Sequence, residues 1–156
     1  MTEQTLEQAK QWLRDRVDDG ARCPCCNQYA KIYRRKLNSG MAAALVRMYR
    51  THGCDWQDKT ITLRGYAAAA RDESLLRYWD LLEEATDTRD DGGRAGWWRV
   101  TTRGAHFVQG FAKVQSHALV YDSNLRSLDG PMVTIHDCLG AKFSLAELMA
   151  ERPATT

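Results

Sequence analysis

Three thiols in four residues, Cys23-Pro24-Cys25-Cys26, set the tightest local limit on how this chain folds. Cys23 and Cys26 stand at Cys-x-x-Cys spacing. A tight turn with proline after the first thiol points both sulfurs at one place, as a zinc knuckle requires. The front of the chain is therefore expected to form a knuckle. A closed structural site takes four ligands, and this stretch supplies only half of them. The other candidates are His52, Cys54, His106, His117, His136 and Cys138. Two of the histidines sit in His-x-Cys pairs, His52/Cys54 and His136/Cys138, and on extended backbone residues two apart share a face. The expected set is Cys23 and Cys26 with Cys54 and His52, then His117, with His136 and Cys138 last, around a structural zinc. The plain alternative is a pair of free thiols, with each histidine a surface or hydrogen-bonded residue.

Residues 1–10 are polar and acidic and lack the basic-then-apolar layout of a secretory leader. No segment reaches the ~18 consecutive apolar residues of a membrane helix. A soluble, cytoplasmic protein without a membrane partner is expected, and there cysteines serve as thiols or metal ligands rather than disulfides.

A chain of 156 residues, 44% hydrophobic, is long enough to bury a core. Leu6, Ala9, Leu13 and Val17 recur at helical spacing, so residues 3–17 read as a helix, with Thr2 or Thr5 to cap it and Gly20 to end it. Residues 30–51 read as one long helix or two short ones, the doubt arising from Asn38-Ser39-Gly40. Residues 72–84 read as a helix, 86–96 as a Gly-rich turn, 97–101 as a strand and 102–108 as a helical turn. Beyond residue 118 come two short strands, with turns at Asp122-Ser123-Asn124 and Asp129-Gly130, then a last helix over 144–150. Helix, helix, helix, Gly-rich hairpin and a Thr-x-x-Gly turn is the outline of a winged helix-turn-helix. The expected fold is α+β: an N-terminal helix and knuckle (1–29), a winged-helix core (30–113) and a small β-rich extension (114–156).

The net charge of +2 decides little, but its distribution is blocky. Residues 22–50 hold seven basic side chains and no acid; 94–113 hold four and no acid; 72–91 hold eight acids. Such asymmetry often marks a binding surface, although solvated helix faces look the same. Tyr29 and Tyr33 are interleaved with Lys31, Arg34, Arg35 and Lys36, a pattern suited to base stacking and phosphate contact. A winged helix lays its third helix in the DNA major groove with the wing over the backbone. The expected DNA contacts are Lys31, Arg34, Arg35, Arg47, Arg71, Arg77 and the wing arginines Arg89, Arg94 and Arg99. Against this, the third helix would show Glu73, Asp80 and Glu84 outward, and carboxylates repel phosphates.

Two resemblances add to this reading. Leu75-Leu76-Arg77-Tyr78-Trp79-Asp80-Leu81-Leu82, followed by Trp98-Arg99-Val100-Thr101-Thr102-Arg103-Gly104-Ala105-His106-Phe107, resembles the recognition-helix end and wing return of MarR-type regulators. Asp80 stands where that family commonly has glycine. Cys23-Pro24-Cys25-Cys26-Asn27-Gln28, Arg77-Tyr78-Trp79-Asp80-Leu81, the same Trp98 to Phe107 stretch and Lys142-Phe143-Ser144-Leu145-Ala146-Glu147-Leu148-Met149 resemble an uncharacterised phage-encoded family with an N-terminal Cys-Pro-x-Cys knuckle. The resemblance implies phage or prophage origin and no particular activity.

The sequence has no Gly-rich phosphate loop, no Gly-x-Ser-x-Gly elbow and no His-x-Glu to complete a zinc-deaminase signature, so a binding module rather than an enzyme is expected. The first reading is a nucleic-acid-binding regulatory or replication-accessory protein. The second is an interaction module docking on a host or phage protein through the acidic third helix. A homodimer is compatible with both.

Overall fold

The computed structural model describes residues 4–66, 72–85 and 97–151. It is a mixed α+β protein with antiparallel sheets. The chain packs as two units. The first takes the chain up to Lys36 together with His117–Asp129, and the second takes Leu37–Ser116 with the chain from Gly130 onward.

In the first unit, helix α1 (Leu6–Arg14) is capped by Thr5 rather than Thr2 and ends at Asp15, short of the expected Val17 and Gly20. Thr5 Oγ1 accepts from the Gln8 amide, and Gln8 Oε1 accepts from the Thr5 amide, a reciprocal capping box. Strands β1 (Ala21–Arg22) and β2 (Tyr29–Ala30) form a two-residue hairpin around the thiols. Gly20 enters it at φ +96, where an added Cβ would also run into Tyr29. Strand β3 (Tyr33–Lys36) pairs antiparallel with β7 (Val114–Tyr121), which also pairs with β8 (Asn124–Val133). Asp122 and Ser123 both have positive φ, the conformation of a tight I′ hairpin turn. The turn expected at Asp129-Gly130 is absent, because β8 runs through it to Val133.

The second unit is organised by α2 (Ser39–His52). Asn38 Oδ1 accepts from the Met41 amide, so Asn38-Ser39-Gly40 begins this helix rather than interrupting a longer one. Where a helix is expected over residues 30–37, Ala30 ends β2 and Tyr33–Lys36 form β3, as Ile32 and Tyr33 favour. Met41 through Met48 are all buried. Around α2 lie α3 (Lys59–Thr62), a 3₁₀ helix (Glu73–Trp79), α4 (Thr102–Val108), α5 (Ile135–Leu139) and α6 (Leu145–Ala150). Strands β4 (Gln57–Asp58), β5 (Leu82–Glu84) and β6 (Trp97–Val100) make a sheet of order β4-β6-β5. The expected helix over 72–84 is thus a 3₁₀ helix followed by a strand. The break is Asp80, held left-handed at φ +59, a conformation that Asp tolerates better than most side chains.

Asp80 is tied to the Thr-x-x-Gly turn at Thr101. Thr101 Oγ1 donates to the Asp80 carbonyl at 2.6 Å and accepts from the Gly104 amide at 2.9 Å, capping α4. A Cβ on Gly104 would collide with the Leu81 carbonyl and Val100, so α4 reaches this position only with glycine there.

Arg47 is 6% exposed within α2. It forms a bidentate pair with Glu151 at 3.0 and 3.1 Å, its guanidinium 3.9 Å from the Tyr66 ring centroid. Arg50 donates to the Leu148 and Glu151 carbonyls, closing the last turn of α6. Glu151→Ala is expected to destabilise the protein by about 3 kcal/mol in chemical denaturation, the low end for breaking a buried pair because Glu151 itself is half-buried. Hydrogen bonds from Arg47 hold the Glu151 carboxyl below its usual range. Its stabilising effect is therefore complete above ~4.3, the ordinary Glu pKa, and is lost as pH falls through the lower folded value. Glu151→Gln should flatten that part of the acid-denaturation profile.

Candidate functional site

On β3 all four residues, Tyr33, Arg34, Arg35 and Lys36, are exposed at the edge of their sheet. Strand alternation puts Tyr33 and Arg35 on one face and Arg34 and Lys36 on the other. Lys31 Nζ lies 5.5 Å and Arg35 Cζ 5.3 Å from the Tyr33 ring centroid, so cations flank an aromatic ring that is 45% exposed. Arg34 pairs with Asp129 at 2.9 Å, both half-exposed, which makes it a weak surface pair. His117 faces Lys36 across the β3–β7 ladder. Burial lowers its imidazole pKa, Arg34 and Lys36 lower it further, and Asp129 opposes them. The cations of this strand thus favour a neutral ring.

The second unit treats its expected contacts differently. Arg47 is withdrawn from the phosphate-binding set, because its guanidinium is buried against Glu151 and Tyr66. Arg99 is bound by Glu83 at 2.8 Å and lies over the Trp56 ring. Arg77 is exposed beside Tyr78 and Ser74. Arg71, Arg89 and Arg94 lie outside the described residues. A cleft of about 500 Å³ runs past Arg99 and Arg103, but Asp80 and Glu83 line it too, so an anion there meets both signs. The acidic face expected on the third helix is reduced as well. Glu73 is 2% exposed and bound to Lys59 at 2.8 Å.

Cys23, Cys25 and Cys26 occupy the tip between β1 and β2. The Asn27 amide donates to the Cys23 carbonyl and the Cys23 amide to the Gln28 carbonyl, both at 2.8 Å, and Asn27 turns left-handed at φ +62. The amide N–H groups of Cys26, then of Cys25, hold the Cys23 thiol below its usual pKa. The other expected ligands are distributed elsewhere. His117 is on β7 of the first unit, and His52 and Cys54 belong to the second. His52 ends α2, and Gly53 then turns at φ +58, so the extended geometry expected for His52/Cys54 is not formed. His136 and Cys138 lie within α5, where residues two apart point to different sides. Among the described residues no three His, Cys, Asp or Glu side chains converge to hold a metal ion. Among them, too, no helix is long and apolar enough to cross a membrane.

The sequence offers these residues as a stacking and phosphate surface but on a helix; the strand is what sets Tyr33 and Arg35 on one face, and its signal is the period-two alternation Lys31, Tyr33, Arg35. Lys36 belongs with this group. Compared with known proteins, the chain matches no family model, no curated protein and no solved structure.

The amide environment of Cys23 predicts a thiolate already present below the ordinary thiol range. Iodoacetamide labelling of the metal-free chain across pH, read by peptide mass, should show Cys23 alkylation rising at lower pH than a free cysteine standard. A midpoint at or above the standard would contradict that environment.

Proposed function

We propose that this protein binds nucleic acid, with the exposed strand β3 and Lys31 as its principal contact surface. The observation that carries the reading is the Tyr33 ring set between Lys31 and Arg35, beside Arg34 and Lys36, on an accessible sheet edge. An aromatic face stacks on any base, and the neighbouring cations bind the phosphates on either side of it. Cations on an edge strand also discourage pairing with another chain, but that role requires no ring between them.

The finer fold in this reading is a winged helix in the second unit. It is supported by the order α2, β4, α3, 3₁₀ helix, β5, β6 and by the sheet order β4-β6-β5. In it the 3₁₀ helix takes the place of the recognition helix, with Arg77 outward, and the wing expected over 86–96 lies outside the described residues. DNA is the partner this fold favours. A regulatory or replication-accessory role and a phage or prophage origin belong to the same reading and rest on the sequence resemblances. Docking on a protein through an acidic third helix has less support, since Glu73 and Glu83 are both bound by cations of their own unit.

The test is fluorescence anisotropy with single-stranded and duplex DNA over a salt series. Affinity should fall steeply with salt. Arg35→Ala/Lys36→Ala should reduce the log–log slope by about 0.7–0.9 per phosphate contact removed. Tyr33→Ala should weaken single-strand binding by roughly 1–3 kcal/mol. Binding that is insensitive to these three side chains would overturn the assignment to β3.

A further inference from the structure

The thiol turn presents an unfinished coordination set. Cys23, Cys25, Cys26 and His117 are all the cysteines and histidines of the first unit. A structural zinc site takes four ligands, and a Cys-x-x-Cys turn supplies two. His117 is a poor third ligand, held on β7 opposite Lys36 and close to the charge of Arg34. The turn itself faces outward: Pro24, Cys25, Cys26, Asn27 and Gln28 are all exposed at the tip of a short hairpin.

We propose that two copies of this chain share one zinc ion, each giving the thiolates of Cys23 and Cys26. Two identical turns related by a two-fold axis present the same patch to each other, so the contact closes at a dimer. Two thiolates from each side complete a four-sulfur tetrahedral shell. Four thiolates around a divalent ion leave the centre with two negative charges. Arg22 of each copy offsets them, its guanidinium held at the turn by the Asn27 carbonyl at 3.1 Å. The arrangement also accounts for an exposed element as small as β1–β2. Two-residue strands are too short to be stable alone, and metal binding supplies folding energy where it fixes the chain.

The experiment uses the full chain purified with zinc present and without added chelator. Native mass spectrometry and light scattering give its mass, and elemental analysis its metal content. Expected are a dimer with about one zinc per two chains, conversion to monomer by a zinc chelator, and recovery on adding zinc back. Cys23→Ser/Cys26→Ser should be monomeric and metal-free. Cys54→Ser, His52→Ala and His117→Ala should each keep the metal and the dimer. Because the double variant could misfold, its circular dichroism and thermal transition are compared with those of the chelated wild type. One zinc in a monomeric chain, loss of zinc in the Cys54, His52 or His117 variants, or absence of bound zinc would each overturn the proposal. None of these outcomes bears on Tyr33, Arg35 or Lys36, so this proposal and nucleic-acid binding by β3 fail separately.

Discussion

The ion pair between buried Arg47 and half-buried Glu151 is the contact on which the second unit depends. A guanidinium buried beside the Tyr66 and Phe143 rings requires a carboxylate, because desolvating an uncompensated charge costs several kcal/mol. That carboxylate comes from the end of α6, more than a hundred residues along the chain. The pairing fixes how the C-terminal helix lies on α2, and Arg50 completes the join by binding the last carbonyls of α6. Ile135, Leu139 and Leu148 are buried in the same unit, so the ion pair orders an apolar contact rather than replacing one. Well-packed apolar residues often stabilise a core as much as a buried ion pair does, so the consequence of this one lies in geometry: a bidentate fork admits only one arrangement of α6.

Legibility followed local chemistry. Thr5, Thr101 and Ser144 cap helices α1, α4 and α6, and each cap lies within three residues of what it bonds, so these helices could be read directly. The α+β class followed from the switch between helical and alternating patterns. Residues 30–37 were misread because tyrosine, arginine and lysine are common on helix surfaces, while their strand geometry comes from pairing with β7, about eighty residues away. Asp80 broke the expected third helix through a left-handed turn and a bond to Thr101, neither visible from periodicity. Helix α5 was missed because its cap, Thr134, sits directly after β8 and only five residues follow.

The site was legible to a similar degree. That Cys23, Pro24 and Cys26 make a turn is a local property and could be read. Which side chains could join them was not, since spacing says nothing about distant elements. His52 and Cys54 looked like a chelating pair only on the assumption of extended backbone, and Gly53 breaks that assumption. Arg47 looked like a phosphate contact because it belongs to an acid-free block. Its acid lies in another block entirely.

The same partition explains why net charge is a poor guide here. In the second unit Arg47, Arg50, Lys59 and Arg99 each bind a carboxylate of that unit, Glu151, Glu73 or Glu83. The sequence displays these charges in separated blocks, but folding brings the blocks together, and the fields largely cancel where they meet. In the first unit Arg34 of the basic run on β3 makes a surface pair with Asp129, while Lys31 and Arg35 lie against an aromatic ring. A ring does not neutralise a cation, so the field of that strand extends into solvent within the Debye length of ~8–10 Å. A sequence block is thus a weak indicator of a binding surface until the opposing charges are located. Lys31 and Arg35 sit beside tyrosine rather than carboxylate, and the proposed nucleic-acid contact rests on that difference.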